Sequence, residues 1–409
     1  MEHPIRPYDA ARDLDQIVRT WMEVGWIDSV DKKAALKAFF AEANVEVGLI
    51  DDEVECAVHW VPGSIQYQQA DLGLCAITAV TTSHIARRQG LASRMTARAL
   101  QQGAEGGHAV AALGMFEQGF YDRVGFGTAS YDHRLQFDPA NLMVDHVPYR
   151  RPERVTKDDW ADIHAAMWNR MGSHGAIYLA PPRLVEGEVG LSDNPFALGY
   201  RDDDGVLTHM IYGELKAEHG PFMVHAIAYR TTEQLLELLR LLRELGDQFR
   251  SVNIIEPAHV QIQALLREPL RERQRSLNSD MESFNRSIAW WQLRMLDVQQ
   301  CVAARSWVGE PVRFNLTLTD PLSDRLDDGW QGVAGDYTVT VAAESGAEPG
   351  HTDGLSTMST GVASFTRLWF GVASATALRT TDPIEAPDEL IAALDEALLL
   401  PDPVAGWMF

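Results

Sequence analysis

The chain has 409 residues and a formal net charge of −23, with 46% of its residues hydrophobic and 23% charged. That length exceeds one compact core and that balance belongs to a folded chain, so two or three domains are expected. The negative charge excludes nucleic acid as a natural partner and suits a cationic substrate, although an acid-rich surface also follows from compositional bias.

In chain order, helical spacing predicts helices over DLDQIVRTWMEV and DKKAALKAFFAEA, and VEVGLIDDEVECAVHWV reads as two strands around an Asp-Asp turn. The strand LGLCAITAVTT follows, then a helix from about Leu91 to Gln101 with Leu91, Met95 and Ala99 on one face, a Gly-rich break and the strand HAVAALGMF. This β-β-β-α-β order defines a first unit, residues 1–143. The stretch DHVPYRRPERVTKDDW marks a boundary, after which the same grammar repeats over residues 144–284. There a helix DDWADIHAAMWNRMG, a hairpin PFALGYRDDDGVLTHMIYGEL, a strand FMVHAIAYR, a helix TEQLLELLRLLREL and a strand SVNII succeed one another. Residues 285–409 form a third unit: helix LDVQQCVAARSW, strands PVRFNLTLTD, GDYTVTVAA and GLSTMST, then helices GVASFTRLWFG and APDELIAALDEALLL. The expected fold class is mixed α/β (α+β).

No stretch of about 20 residues is apolar enough to span a bilayer, and the opening MEHPIRPYDAARDLDQ lacks the apolar core of a secretory signal. The three cysteines are scattered, which fits a reducing cytoplasm. Neither they nor the 13 histidines show metal-ligand spacing, so no metal and no membrane association is expected.

The segment RRQGLA, residues 87–92, stands between a strand and an amphipathic helix. A helix start leaves backbone N–H groups unpaired at the positive end of the dipole, which makes an anion site. Gly90 admits a close ligand, Ala92 keeps the next turn open, and Arg87 and Arg88 add guanidinium charge. The second copy reads AYRTTEQLLELL here, without glycine, and Thr231 with Gln234 forms a capping-box pattern that closes the helix start on itself.

The Arg-x-x-Gly-x-Ala pattern resembles the acetyl-CoA motif of the GNAT acetyltransferase superfamily, and GFYDRVGFG resembles the run that follows that fold's fifth strand. The resemblance implies that acetyl-CoA lies along Val80, Thr82, Arg87, Arg88, Gln89, Gly90 and Ala92, with the Val80 N–H on the thioester carbonyl. It also implies that Tyr121 assists thiolate departure, by a strong hydrogen bond or a locally lowered phenol pKa; Asp122 and Arg123 are read as surface or packing residues. Together with FTRLWFGVASATAL and ELIAALDEALLLPDPVAGWMF, the whole chain is similar to the enhanced intracellular survival (Eis) family of N-acetyltransferases: tandem GNAT units, the second degenerate, and a sterol-carrier-like (SCP2-like) domain. That likeness implies a cationic amine acceptor such as an aminoglycoside, a polyamine or a lysine, and a homo-oligomer, a hexamer in that family. It further implies that the terminal carboxylate, here Phe409, enters the active site and takes the amine proton. Trp21, Glu23, Trp26 and Asp28 are candidates for the acceptor cleft. The competing reading is a carrier of lipid or another apolar ligand, with the GNAT units as scaffold.

Overall fold

The computed structural model describes residues 3–326 and 328–408. Its mixed α/β architecture rests on three sheets. The first contains β1 (Ile5–Pro7), β2 (Asn44–Ile50), β3 (Glu53–Tyr67), β4 (Ala70–Thr82) and β5 (Val110–Gly114) in that spatial order. Helices α1 (Ala10–Glu23), α2 (Lys33–Phe39) and α3 (Leu91–Glu105) belong to the same unit. The Asp51–Asp52 turn between β2 and β3 has positive φ at both residues, 51° and 67°, the conformation that matches strand twist in a two-residue hairpin. Strand β3 runs six residues beyond the WV at which its sequence pattern ends, through Pro62 and Gly63, and its far half pairs with Ile177–Leu179. Leu91, Met95 and Ala99 of α3 are buried as their spacing predicts.

Two strands cross between the sheets. Trp291–Met295, expected as the start of the third unit, pairs antiparallel with β5 and with Gly127–Thr128 and so completes the first sheet. Asp132–Phe137, expected in the first unit, pairs instead with Val252–Ile255 and Phe284–Ile288 in a seven-stranded second sheet. Alternating hydrophobicity reports that a strand has a buried face, not which sheet it joins. The second sheet also holds the predicted hairpin, Pro195–Arg201 with Leu207–Leu215, and Phe222–Ala228. Helix Pro182–Leu191, absent from the sequence reading, packs on α2, where Gly187 lies against Phe39.

The third sheet has five strands, with Val312–Thr319 at its centre between Gly335–Val341 and Thr357–Gly361. Phe314, Leu316, Val339, Met358, Phe365 and Trp369 are buried in its core, and helix Val362–Trp369 also packs on Trp291–Met295 of the first sheet. Among the described residues no helix is long and apolar enough to cross a membrane.

Candidate active site

Parallel pairing between β4 and β5 ends at Ile77 and Leu113, while β4 continues to Thr82 against β3, where Thr82 faces Cys56. Beyond Ile77 the two strands part, and the β5-side edge of residues 78–82 has no strand partner among the described residues. The five free residues lead directly into the turn that carries RRQGLA. Val80 and Thr82 are half-buried along this edge, and Arg87, Arg88, Gln89 and Gly90 are exposed. Arg88 and Gly90 both have positive φ, 62° and 75°, which bends the chain into α3. A Cβ on Gly90 would meet nothing within 4 Å, so glycine is there for its backbone angle in front of an open space.

No side chain caps α3, and among the described residues the first amide to bond inside the helix is Arg94 N, to Gly90 O at 3.0 Å. The amides of residues 91–93 ahead of it have no hydrogen-bond partner among the described residues and stand at the positive end of the dipole. Arg87 and Arg88 form no ion pair among the described residues and are available to an anion. Gln89 uses its side-chain amide to brace the turn, Nε2 donating to Ile85 O at 2.9 Å. Ala92, half-buried one turn in, adds no bulk. This donor set fits a pyrophosphate.

Tyr121 lies in the same apolar cluster as Val80, Cys56 and Leu91. Its ring is packed by Phe120 at 4.8 Å, Phe126 at 6.2 Å and the exposed Phe116 at 6.5 Å. Burial pushes the phenol well above its usual 10, and the nearby Cys56 thiol pushes the same way. Of the two forms of assistance expected of Tyr121, this direction disfavours a lowered phenol pKa and keeps the phenol neutral. Its short turn, Tyr121–Val124, ends at Gly125 with φ 82°. Arg294, on the strand borrowed from beyond residue 285, donates Nη1 to Val124 O at 2.5 Å and Nη2 to Asp320 Oδ2 at 2.5 Å. A Cβ on Gly125 would stand 1.8 Å from that Nη1, so the glycine of the GFG run makes room for the guanidinium. Asp122, exposed, accepts from Gln292 Nε2 at 2.7 Å.

Sequence reasoning missed His59 and Thr78. The β3–β4 register slips at this point, His59 facing Ala79 and Trp60 facing Ile77, so Thr78 is the extra residue of a bulge where β4 leaves β5. His59 is fully buried between Phe39, stacked at 4.6 Å, and Phe40; its Nε2 meets Phe39 O at 3.1 Å and its Nδ1 meets the Thr78 hydroxyl. Burial lowers the imidazole pKa to about 3. A lone histidine in an apolar strand gives no signal of this.

Of the candidates for the acceptor cleft, Trp21 is buried against Phe39 and Phe40, and Trp26 lies edge-on to it at 4.9 Å with its own ring exposed. Glu23 is engaged at the start of the anion turn, accepting from His84 N at 2.5 Å, and Asp28 is exposed. Phe409 lies outside the described residues. The tail before it is anchored: Ala405 O accepts from Ile177 N at 2.9 Å and from Arg170 Nη2 at 3.1 Å, and Trp407 is buried against His164. Trp407 and Met408 border a cavity of about 380 Å³ with Glu188, Tyr212, Glu214 and His225. Burial among its apolar walls holds the Glu188 carboxyl up to about 8. In the second unit Thr231 Oγ1 accepts from Gln234 N at 3.3 Å, the N-cap half of the capping box expected there, while Gln234 Oε1 accepts from Arg230 N at 2.7 Å, one residue before the N-cap, so the reciprocal bond of a full box is not formed. All three cysteines are free and buried, and no cluster of three metal-ligating side chains occurs among the described residues.

Residues 5–129 match the acetyltransferase (GNAT) domain family, and this segment contains β4, the anion turn and Tyr121. No curated relative matches the chain. Solved structures share its fold from end to end. A conserved protein of Enterococcus faecalis V583 described as a probable N-acyltransferase is 13% identical, with a TM-score of 0.77 and all of both chains covered. A GCN5-related N-acetyltransferase from Anabaena variabilis is 15% identical at 0.77, covering 99% of this chain and all of that one. Eis1 from Mycobacterium abscessus is 16% identical at 0.74, with the same coverage. The chain thus carries a GNAT acetyltransferase domain, an acyltransferase unit of a kind that uses acetyl-CoA.

Proposed function

We propose that the protein transfers the acetyl group of acetyl-CoA to a primary amine by direct attack in a ternary complex. The observation that carries this reading is the continuity of one edge: β4 parts from β5 after Ile77, runs free to Thr82 and turns into the uncapped amides at Gly90. Along it the Val80 and Thr82 backbone pairs with the pantetheine arm, and the residue 88–92 amides with Arg87 and Arg88 take the pyrophosphate. Holding amine and thioester in line supplies much of the acceleration. The Val80 N–H donates to the oxyanion that develops at the thioester carbonyl. Tyr121 donates a hydrogen bond to the departing sulfur from a phenol that stays neutral.

An acceptor of the aminoglycoside, polyamine or lysine type is supported by the charge of −23 and by the exposed ring of Trp26, whose face attracts cations. The Phe409 carboxylate is assigned the ammonium proton, in keeping with a tail anchored as far as Trp407. The same reading takes residues 144–284 as a second GNAT unit without a cofactor site and 285–409 as a sterol-carrier-like domain, in a cytoplasmic homo-hexamer. The filled core around Phe314, Met358 and Trp369 weighs against a lipid carrier.

The test is thiol release from acetyl-CoA with a panel of amines that includes kanamycin, spermidine and a lysine peptide. Turnover that falls when one residue is appended after Phe409, with folding and assembly intact, supports the whole scheme. Full turnover in the extended protein removes the terminal carboxylate from it, and no turnover with tight lipid binding favours the carrier.

A further inference from the structure

We propose that the Thr78 hydroxyl is a catalytic group: an oriented hydrogen-bond acceptor that receives an N–H of the incoming amine and aims the amine lone pair at the thioester along β4. The inference rests on the acetyltransferase reading and adds to it the group that meets the acceptor nitrogen. Phe39 O only accepts, so the His59 Nε2 facing it at 3.1 Å carries the ring proton. The imidazole is neutral, and Nδ1 is therefore a bare lone pair. The Thr78 hydroxyl, bonded to that nitrogen, must spend its one proton there. What remains on Thr78 Oγ1 is acceptor capacity alone, the complement of an amine that brings N–H groups.

Placement agrees with this chemistry. Thr78 is the bulged residue where β4 loses β5, two residues before Val80, and it is half-exposed between buried Ile77 and Ala79. The bulge turns its side chain to the face of β3 and β4 that His59, Phe39 and Phe40 occupy. On that face Trp21 packs on both phenylalanines, and its indole N–H is buried without a partner among the described residues. A fixed acceptor, ring faces and an unspent donor are what a hydroxylated or polyvalent amine requires. His59 acts through Thr78 and is a positioning residue; stacking on Phe39 fixes its plane.

The experiment uses the full chain with acetyl-CoA and the best amine of kanamycin, spermidine and a lysine peptide. Thr78→Val, which keeps the shape and deletes the acceptor, is expected to lower kcat/KM for the amine about ten- to hundredfold. The acetyl-CoA dissociation constant should stay within about twofold, and Thr78→Ser should restore most of the loss. His59→Phe preserves the stack and frees the hydroxyl to rotate; it should lower the same constant, and adding Thr78→Val to it should cost less than a further threefold or so. Independent, multiplying losses, or a Thr78→Val enzyme as fast as wild type, would overturn the role of Thr78 while the acetyltransferase reading stands. Wild-type protein that turns over none of the amines would overturn both.

Discussion

Replacing Asp320 by asparagine asks whether the chain beyond residue 285 holds the Tyr121 turn in place. Arg294 and Asp320 are both wholly buried, and Asp320 also receives Leu322 N at 3.0 Å and Val333 N at 2.8 Å. Asparagine preserves volume and one acceptor oxygen but leaves the guanidinium without its counter-charge, a cost of about 3–5 kcal/mol. Arg294→Met instead strands the carboxylate with two backbone donors and frees Val124 O, again several kcal/mol. In the double variant no unpaired charge remains, and the loss reduces to hydrogen bonds worth about 1 kcal/mol each. The two single costs should therefore exceed the cost of the pair by at least about 3 kcal/mol. Urea unfolding reads this through tryptophan fluorescence, since the Arg294 guanidinium lies 5.7 Å from the centre of the Trp330 ring. The same samples should show kcat falling more than acetyl-CoA affinity, because the guanidinium anchors the Tyr121 turn and not the anion turn. Single costs that add to the double within about 0.5 kcal/mol would refute the coupling, and an Asp320→Asn protein with the wild-type midpoint would refute the ion pair.

Four further outcomes are expected. Arg88→Ala should weaken acetyl-CoA binding about tenfold at low salt and less at high salt, by calorimetry; a salt-independent or absent effect would exclude phosphate contact. Tyr121→Phe should lower turnover about tenfold with acetyl-CoA affinity unchanged, and normal turnover would remove the donor. Gly90→Ala meets no atom and should cost only the strain of φ 75°, about 1–2 kcal/mol in thermal stability, so a larger loss would refute the open space. Glu188, held up to about 8, keeps a proton in the folded state that the unfolded chain releases above about 4.3. Stability therefore falls as pH rises through that window and the penalty is complete above it. Glu188→Gln should melt with the wild type near pH 4 and above it from about pH 7, and equal melting temperatures near pH 8 would contradict the burial.

Local chemistry made much of the first unit readable. The Asp-Asp turn, the apolar face of α3 and the contrast between Gly90 and the Thr231 cap each depend on residues adjacent in sequence, and each appears in the fold. Long-range pairing was not readable. Trp291–Met295 is buried at all five positions, which marks it as a central strand, yet only the ladder with β5 reveals whose. The slip at Thr78 likewise depends on two strands at once, since neither LGLCAITAVTT nor VECAVHWV carries a glycine or proline at the bulge. Arg294 is the sharpest case: a charged residue in an apolar strand reads as exposed, and its partners come from a turn 170 residues earlier and a carboxylate 26 residues later.

The first unit and residues 144–284 differ at the start of one helix. In both, a strand paired in parallel with the next feeds a helix with an apolar face, Leu91–Glu105 in one and Thr232–Glu244 in the other. The second satisfies the leading amide of Gln234 with the Thr231 hydroxyl, a cap worth about 1 kcal/mol. The first forgoes that stabilisation at Gly90 and leaves its leading amides uncapped. In residues 144–284 the cavity beside Phe222–Ala228 and Val252–Ile255 is walled by the tail: Val404, Gly406, Trp407 and Met408 line it with Val224, Ile227 and Ile254. A helix start closed on itself leaves the neighbouring cleft nothing to anchor a pyrophosphate, so an apolar segment of the protein's own tail can lie there without competition.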